Sequence, residues 1–162
     1  MTKYGFPPED MVKVIDAHFA SLVLFARQWD GTSAEDIVQN AFLKLLKHST
    51  KKGSPEQLLP WLFQVVRNEA VSRYRKNARR EKHEQRYATE RSQWFDADSG
   101  KTLESAELVA VLKTLPLEQR EIVVMRIWGG LSFDEIAKLT GDSRTTVFRK
   151  YNDALDELRK KY

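Results

Sequence analysis

The chain of 162 residues contains no cysteine and only three histidines. Without cysteine it can form neither disulfides nor thiolate metal sites, and His18, His48 and His83 lack the spacing of zinc ligands. We therefore expect no metal and no cofactor. The absence of cysteine also fits a reducing compartment, and we expect the chain to be cytoplasmic.

Long apolar stretches are also missing. No run approaches the roughly 20 apolar residues that a membrane-spanning helix needs, and the residues after Met1 do not form the apolar segment of a secretory signal. We expect no direct membrane insertion. Glycines are few, at seven, and β-branched residues do not alternate over any distance, so the pattern predicts an all-α fold.

Charge is present in both signs and is unevenly distributed. The net charge of +4 is too small to indicate nucleic acid by itself. Residues 1–80 carry thirteen basic and eight acidic residues, residues 81–107 four and seven, and residues 108–162 ten and eight. We predict two small helical domains, 1–80 and 104–162, joined by a linker at 81–103, with a helix-turn-helix in the C-terminal domain.

A helix predicted from Ala34 to about Lys47, capped by Ser33, has an apolar stripe and a polar face. The residues expected in the core are Ile37, Val38, Ala41, Phe42, Leu45 and Leu46. Leu43 lies among polar groups on the opposite face, as either an isolated surface leucine or an anchor for another protein. The candidate contact face consists of Glu35, Asp36, Gln39, Asn40 and Leu43.

Basic residues concentrate on a helix predicted at about 60–80, after a loop that begins at Ser49. Eight basic and three acidic residues lie between Arg67 and Arg86. A solvated charged face is the simpler interpretation, but this face also offers a ring, an amide and a hydroxyl. That mixture suits single-stranded nucleic acid, whose bases stack on aromatic rings and whose phosphates meet arginine. The residues that share the face are Trp61, Asn68, Ser72, Arg75 and Arg79.

Residues 131–151 have the build of a helix-turn-helix. Ser132 and Glu135 are spaced as a capping box, Gly141 suits a left-handed turn, and Ser143 can cap the next helix. Such a helix can enter the major groove, where Arg and Thr read base edges and an apolar side chain contacts methyl groups. A plain helical hairpin is the alternative. The exposed start of the second helix carries Arg144, Thr145, Thr146, Phe148, Arg149 and Lys150.

Four segments in this order resemble the bacterial RNA polymerase sigma factors of the extracytoplasmic-function (ECF) type, which have sigma regions 2 and 4. Ala34–Phe42 is similar to the family's A-E-D-x-V-Q-x-x-F, and Pro60–Ala70 to its W-L-x-x-I-A-R-N-x-A. Leu115–Ile122 resembles L-P-x-x-x-R-E-V, and Gly130–Ala137 resembles G-x-S-x-x-E-I-A.

The resemblance implies a sigma factor that binds core RNA polymerase and directs promoter recognition and transcription initiation, without catalysis of its own. The contact face of the helix predicted from Ala34 would meet the clamp helices of the β′ subunit, and residues 117–128 would lie near the β flap. The melted −10 element would be engaged by the loop at 48–58 and by Trp61, Arg67, Asn68, Ser72, Arg73, Arg75, Lys76 and Arg79. The −35 duplex would be read by Arg144, Thr145, Thr146, Phe148, Arg149 and Lys150. Many relatives are held inactive by an anti-sigma factor, which makes such a protein a candidate partner.

The sequence departs from the family pattern at four positions. Ser72 stands where an aspartate is common, and Asp142 replaces an apolar turn residue. Phe148 replaces a basic residue, and Asp153 stands where a second basic residue is frequent. Fewer phosphate contacts predict a weaker, less salt-sensitive grip on duplex DNA and an unusual −35 preference.

Two other classes of function remain as alternatives. Response regulators share G-L-S-x-x-E-I-A, so a free-standing helix-turn-helix regulator fits the C-terminal segment, although it has no evident use for Ala34–Phe42 and Pro60–Ala70. An enzyme is disfavoured because the sequence has no phosphate loop, metal cluster or nucleophile-base set. Its carboxylates are expected on solvated helix faces.

Overall fold

The computed structural model describes residues 8–29, 31–52, 57–83 and 103–162, and these residues form helices without any strand. The all-α prediction is confirmed. None of the helices in these ranges is both long and apolar enough to cross a membrane. The elements are α1 (Pro8–Arg27), α2 (Ala34–Lys52), α3 (Leu58–His83), α4 (Leu103–Lys113), α5 (Leu117–Val123), a π-helical turn (Val124–Trp128), α6 (Phe133–Thr140) and α7 (Arg144–Lys161).

One predicted boundary differs from the structure. Ser49 does not begin a loop as predicted: it is buried, its hydroxyl donates to the Leu46 carbonyl, and α2 continues to Lys52. Residues 53–56 and most of the predicted linker, 84–102, lie outside the described residues. Helix α5 continues into a π turn, since the Gly129 amide bonds to the carbonyl five residues earlier, that of Val124.

Helices α1, α2 and α3 form an N-terminal unit around a shared apolar core. Phe25 and Phe63 meet edge to face at its centre, with ring centroids 5.2 Å apart. Leu46 was expected in this core but is 41% exposed. At about 100° per residue it lies at the edge of the α2 stripe, nearer to Gln39 than to Ile37, and the core does not reach it.

The helix-turn-helix forms from α6 and α7 as predicted. The Ser132 hydroxyl accepts from the Glu135 amide at 3.1 Å, and the Glu135 carboxylate accepts from the Ser132 amide at 2.9 Å, which completes the capping box. Gly141 takes the turn with φ of +79°, a conformation that disfavours other residues. Ser143 caps α7 by accepting from the Thr146 amide.

The C-terminal unit, α4 to α7, packs directly on the N-terminal unit. The Ser21 hydroxyl of α1 donates to the Trp128 carbonyl at 3.0 Å. Gly129 lies so close to α3 that a Cβ there would stand 2.8 Å from the Phe63 ring and 2.5 Å from the Met125 carbonyl oxygen. A glycine at the end of the π turn therefore permits the two units to approach this closely.

A buried ion pair joins the two units. Arg67 of α3 donates through Nε and Nη2 to the two carboxylate oxygens of Glu121 of α5, at 2.8 and 3.2 Å. Glu121 is only 3% exposed, so the expectation that the carboxylates lie on solvated faces is wrong for this residue. Burial raises the pKa of Glu121, and the hydrogen bonds from Arg67 oppose that increase. Arg67 also lies over the Trp29 ring, 5.6 Å from its centroid.

Replacing one partner of this pair should open the interface between the units. Arg67→Ala leaves the Glu121 carboxylate buried without its partner, which costs about 3–5 kcal/mol for a buried pair. Separation of the units returns the carboxylate to water. We expect small-angle scattering to show a larger radius of gyration, with the same helical content by circular dichroism.

The matched control is Arg75→Ala, which removes an exposed arginine from the same helix. It should scatter like the unmodified protein. An Arg67→Ala protein as compact as the control would contradict the role of the ion pair.

Candidate nucleic-acid interface

The outer face of α2 presents the residues predicted to contact another protein. Glu35, Asp36 and Gln39 are exposed and Asn40 is half-buried. Leu43 is 54% exposed, and the exposed Leu46 follows it three residues later. Leu46 was not predicted on this face, because the helical pattern was interpreted as placing it in the core. Two leucines rimmed by acidic and amide groups form an apolar centre with a polar border, as protein interfaces do.

The candidate residues of α3 divide between two sides of the helix. One group is open to solvent and consists of Asn68, Ser72, Arg75, Lys76 and Arg79. Trp61 is half-buried and packs against His48 of α2, with ring centroids 5.2 Å apart. Arg67 faces the C-terminal unit and binds Glu121. The structure therefore brings the exposed group together on one surface and directs Arg67 away from it.

Arg73 links α3 to α2. Its Nη2 lies 3.0 Å from a carboxylate oxygen of Asp36, and its Nε lies 2.9 Å from Glu69. Burial lowers the pKa of Arg73, but the hydrogen bonds to Glu69 and Asp36 outweigh burial and raise it. Arg73 follows Ser72, the residue that stands where the family commonly has an aspartate, and it is oriented by Asp36 and Glu69. The predicted protein-contact face and the predicted nucleic-acid face are thus joined by an ion pair.

The start of α7 exposes most of its candidate residues. Arg144, Thr145, Phe148 and Arg149 are exposed, whereas Thr146 is half-buried. The Lys150 ammonium instead lies 3.0 Å from Glu118 and 3.0 Å from Asp142, and hydrogen bonds to these carboxylates raise its pKa. Asp142, one of the departures from the family pattern, therefore binds a lysine that was predicted to contact DNA.

A groove of about 400 Å³ runs between the two units. Its apolar wall includes Phe19 and Leu24 of α1, Leu108 of α4, and Trp128. Arg27 also lines it, and burial lowers the pKa of this arginine, although Glu35 opposes that effect. Within the described ranges, no group of histidine and carboxylate side chains is arranged to hold a metal ion.

Comparison with known proteins identifies both units. Residues 15–80 match the family described as Sigma-70 region 2, and residues 105–158 match Sigma-70, region 4. The chain is 33% identical over 143 residues to the ECF RNA polymerase sigma factor EcfG of Rhodopseudomonas palustris (strain TIE-1), covering 85% of this chain and 77% of that protein. It is 25% identical over 126 residues to the RNA polymerase sigma factor SigV of Bacillus subtilis (strain 168), covering 78% and 74%.

Two solved structures share the fold. The sigma factor RpoE, in its complex with the anti-sigma factor NepR from Bartonella quintana, superposes with a TM-score of 0.70 at 22% identity, over 94% of this chain and 96% of that one. CnrH, in complex with the cytosolic domain of CnrY, gives a TM-score of 0.64 at 21% identity, over 94% and 87%.

The match to region 2 decides between the alternatives, because neither a free-standing helix-turn-helix regulator nor an enzyme accounts for it. Region 4 supplies the helix-turn-helix. The prediction of a sigma factor is confirmed: the chain directs RNA polymerase in promoter recognition and transcription initiation and is not itself an enzyme. This chain belongs to the ECF RNA polymerase sigma factors.

Proposed function

We propose that this sigma factor uses three separate surfaces during initiation. The α2 face binds the β′ clamp helices of core polymerase, the exposed side of α3 captures the melted −10 strand, and the start of α7 reads the −35 duplex. Residues 1–80 would carry the first two roles, 81–103 would be the linker, and 104–162 would carry the third, with residues 117–128 near the β flap. The observation that carries the proposal is that each surface exposes the residue types its partner requires.

In the packed arrangement the two units lie too close together to contact both promoter elements at once. The two elements lie about 25 base pairs apart, or ~85 Å along duplex DNA. A compact chain of this length has a radius of gyration of about 15 Å and a diameter of about 40 Å. We infer that the units separate on the promoter, and the 19 residues at 84–102 are long enough to permit it, since they reach ~65 Å when fully extended.

Separation also changes the partner of Arg67. In the packed arrangement its guanidinium is bound by Glu121, so it is unavailable to nucleic acid. Once the units part, Arg67 and Glu121 return to solvent, and Arg67 can meet a phosphate of the −10 strand. The packed form is therefore the proposed state before polymerase and promoter bind.

We also propose an anti-sigma factor as a partner, and the cytoplasm, where polymerase and promoters are found, as the location. Both solved neighbours are complexes, and the partner of RpoE in one of them is the anti-sigma factor NepR. The apolar groove between the units offers such a protein a surface formed by both units at once. A partner bound there would stabilise the packed arrangement.

The proposed function is tested by adding the purified chain to core RNA polymerase and mapping transcription starts genome-wide. We expect starts at a defined promoter set. Leu43→Arg should abolish both the association with core polymerase and these starts, because it places a charge at the apolar centre of the α2 face.

Val12→Arg is the matched control, since it makes the same change at an exposed apolar residue of α1. It should bind core polymerase normally. Circular dichroism should show equal helical content in both variants. Association of the Leu43→Arg protein with core polymerase in a pull-down would refute the role assigned to the α2 face.

Arg149→Ala should weaken binding of the holoenzyme to the −35 duplex by about 1–3 kcal/mol, the range for a side chain that meets a base edge. Lys150→Ala should cost less, because the ammonium of this lysine is already paired with Glu118 and Asp142. Footprinting and affinity measurements on both variants provide the comparison. Unchanged affinity and selectivity after Arg149→Ala would remove this residue from the interface.

A further inference from the structure

Phe148 presents a large apolar ring on the part of α7 that is otherwise polar and basic. It is 52% exposed. It lies one turn after Arg144 and next to Arg149, and both arginines are exposed. On a helix, residues three and four apart share a face, so Phe148, Thr145 and Arg144 lie on one side of α7.

Contacts with α6 restrict the motion of the Phe148 ring. It meets the Phe133 ring of α6 edge to face, with centroids 5.4 Å apart and planes at 84°. Phe133 is fixed in turn by Tyr151, at 5.4 Å, and by the guanidinium of Arg126, 4.4 Å from the centre of its ring. Phe148 therefore loses little side-chain freedom when a partner covers it, and that reduces the cost of binding.

The chemistry of a phenyl ring restricts what it can recognise. It cannot donate to a phosphate or to a base edge, which a basic residue at this position would do. In the major groove the apolar feature that a base pair offers is the 5-methyl group of thymine. Arg144, Thr145 and Arg149 surround the ring with groups that suit phosphates and polar base edges, so the apolar contact falls within a site for DNA.

We propose that Phe148 selects thymine at one position of the −35 element by contact with its methyl group. This inference rests on the proposed role of α7 as the reader of that element. A basic residue at this position would contact a phosphate. Phe148 lacks that contact and provides base selectivity in its place. The specificity would therefore come from van der Waals contact at this position and from hydrogen bonds at its neighbours.

The test removes single methyl groups from the DNA and compares the unmodified holoenzyme with a Phe148 variant. The −35 sequence bound by the holoenzyme is first selected from random duplexes, and each of its thymines is then replaced singly by deoxyuridine, which removes only the methyl group. For the unmodified holoenzyme we expect one replacement to weaken binding about fourfold, the effect of one buried methyl-sized group. The same replacement should have no effect on the Phe148→Ala holoenzyme.

Two further variants make the result specific to the ring. Phe148→Leu keeps an apolar side chain and should retain the preference for thymine over deoxyuridine. Arg149→Ala should lower the affinity for both duplexes equally and leave that preference unchanged.

Each negative outcome has a distinct meaning. If the unmodified holoenzyme protects no −35 duplex, the proposed role of α7 fails. If it binds the duplex but requires no thymine, or discriminates deoxyuridine equally well after Phe148→Ala, the role of Phe148 is overturned while that of α7 remains.

Discussion

The ion pair between Arg67 and Glu121 determines how the two halves of this sigma factor lie against each other. It is bidentate, and its carboxylate is almost completely removed from solvent. Gly129, at the end of the π turn, allows the C-terminal unit to approach Phe63 closely enough for the pair to form. A buried pair of this kind stabilises the contact only while both partners are present, because either charge alone is costly to bury. The interface therefore depends on Glu121 as the partner of Arg67, and another anion can take the place of this carboxylate.

Other basic groups assigned to nucleic acid follow the same pattern. Arg73 is bound by Asp36 and Glu69, and Lys150 by Asp142 and Glu118. Non-specific affinity for DNA grows with the number of phosphates that free lysines and arginines neutralise. By holding these cations with its own carboxylates, the packed chain reduces its attraction for arbitrary DNA. In the proposed open form, phosphates of the promoter replace a carboxylate at Arg67.

The local features of the fold could be predicted from the sequence, because they depend on residues close together in the chain. The capping box at Ser132, the turn at Gly141 and the helical faces follow from short spacings. The contact between Arg67 and Glu121 joins residues 54 positions apart, and no periodicity indicates it. A helical pattern predicts which side of a helix is polar but not which helix will face it. For that reason Glu121 was misplaced, and the partners of Arg73 and Lys150 were not foreseen.

The distance between the two units before and after promoter binding tests this account most directly. The chain has no cysteine, so fluorophores can be attached at cysteines introduced in place of the exposed residues Ala17 of α1 and Lys160 of α7. We predict efficient energy transfer in the free protein and a large loss of transfer in the holoenzyme bound to promoter DNA, because the units must reach elements ~85 Å apart. Arg67→Ala should lose part of this transfer before any partner is added. Equal transfer efficiency in the free and promoter-bound protein would contradict the account.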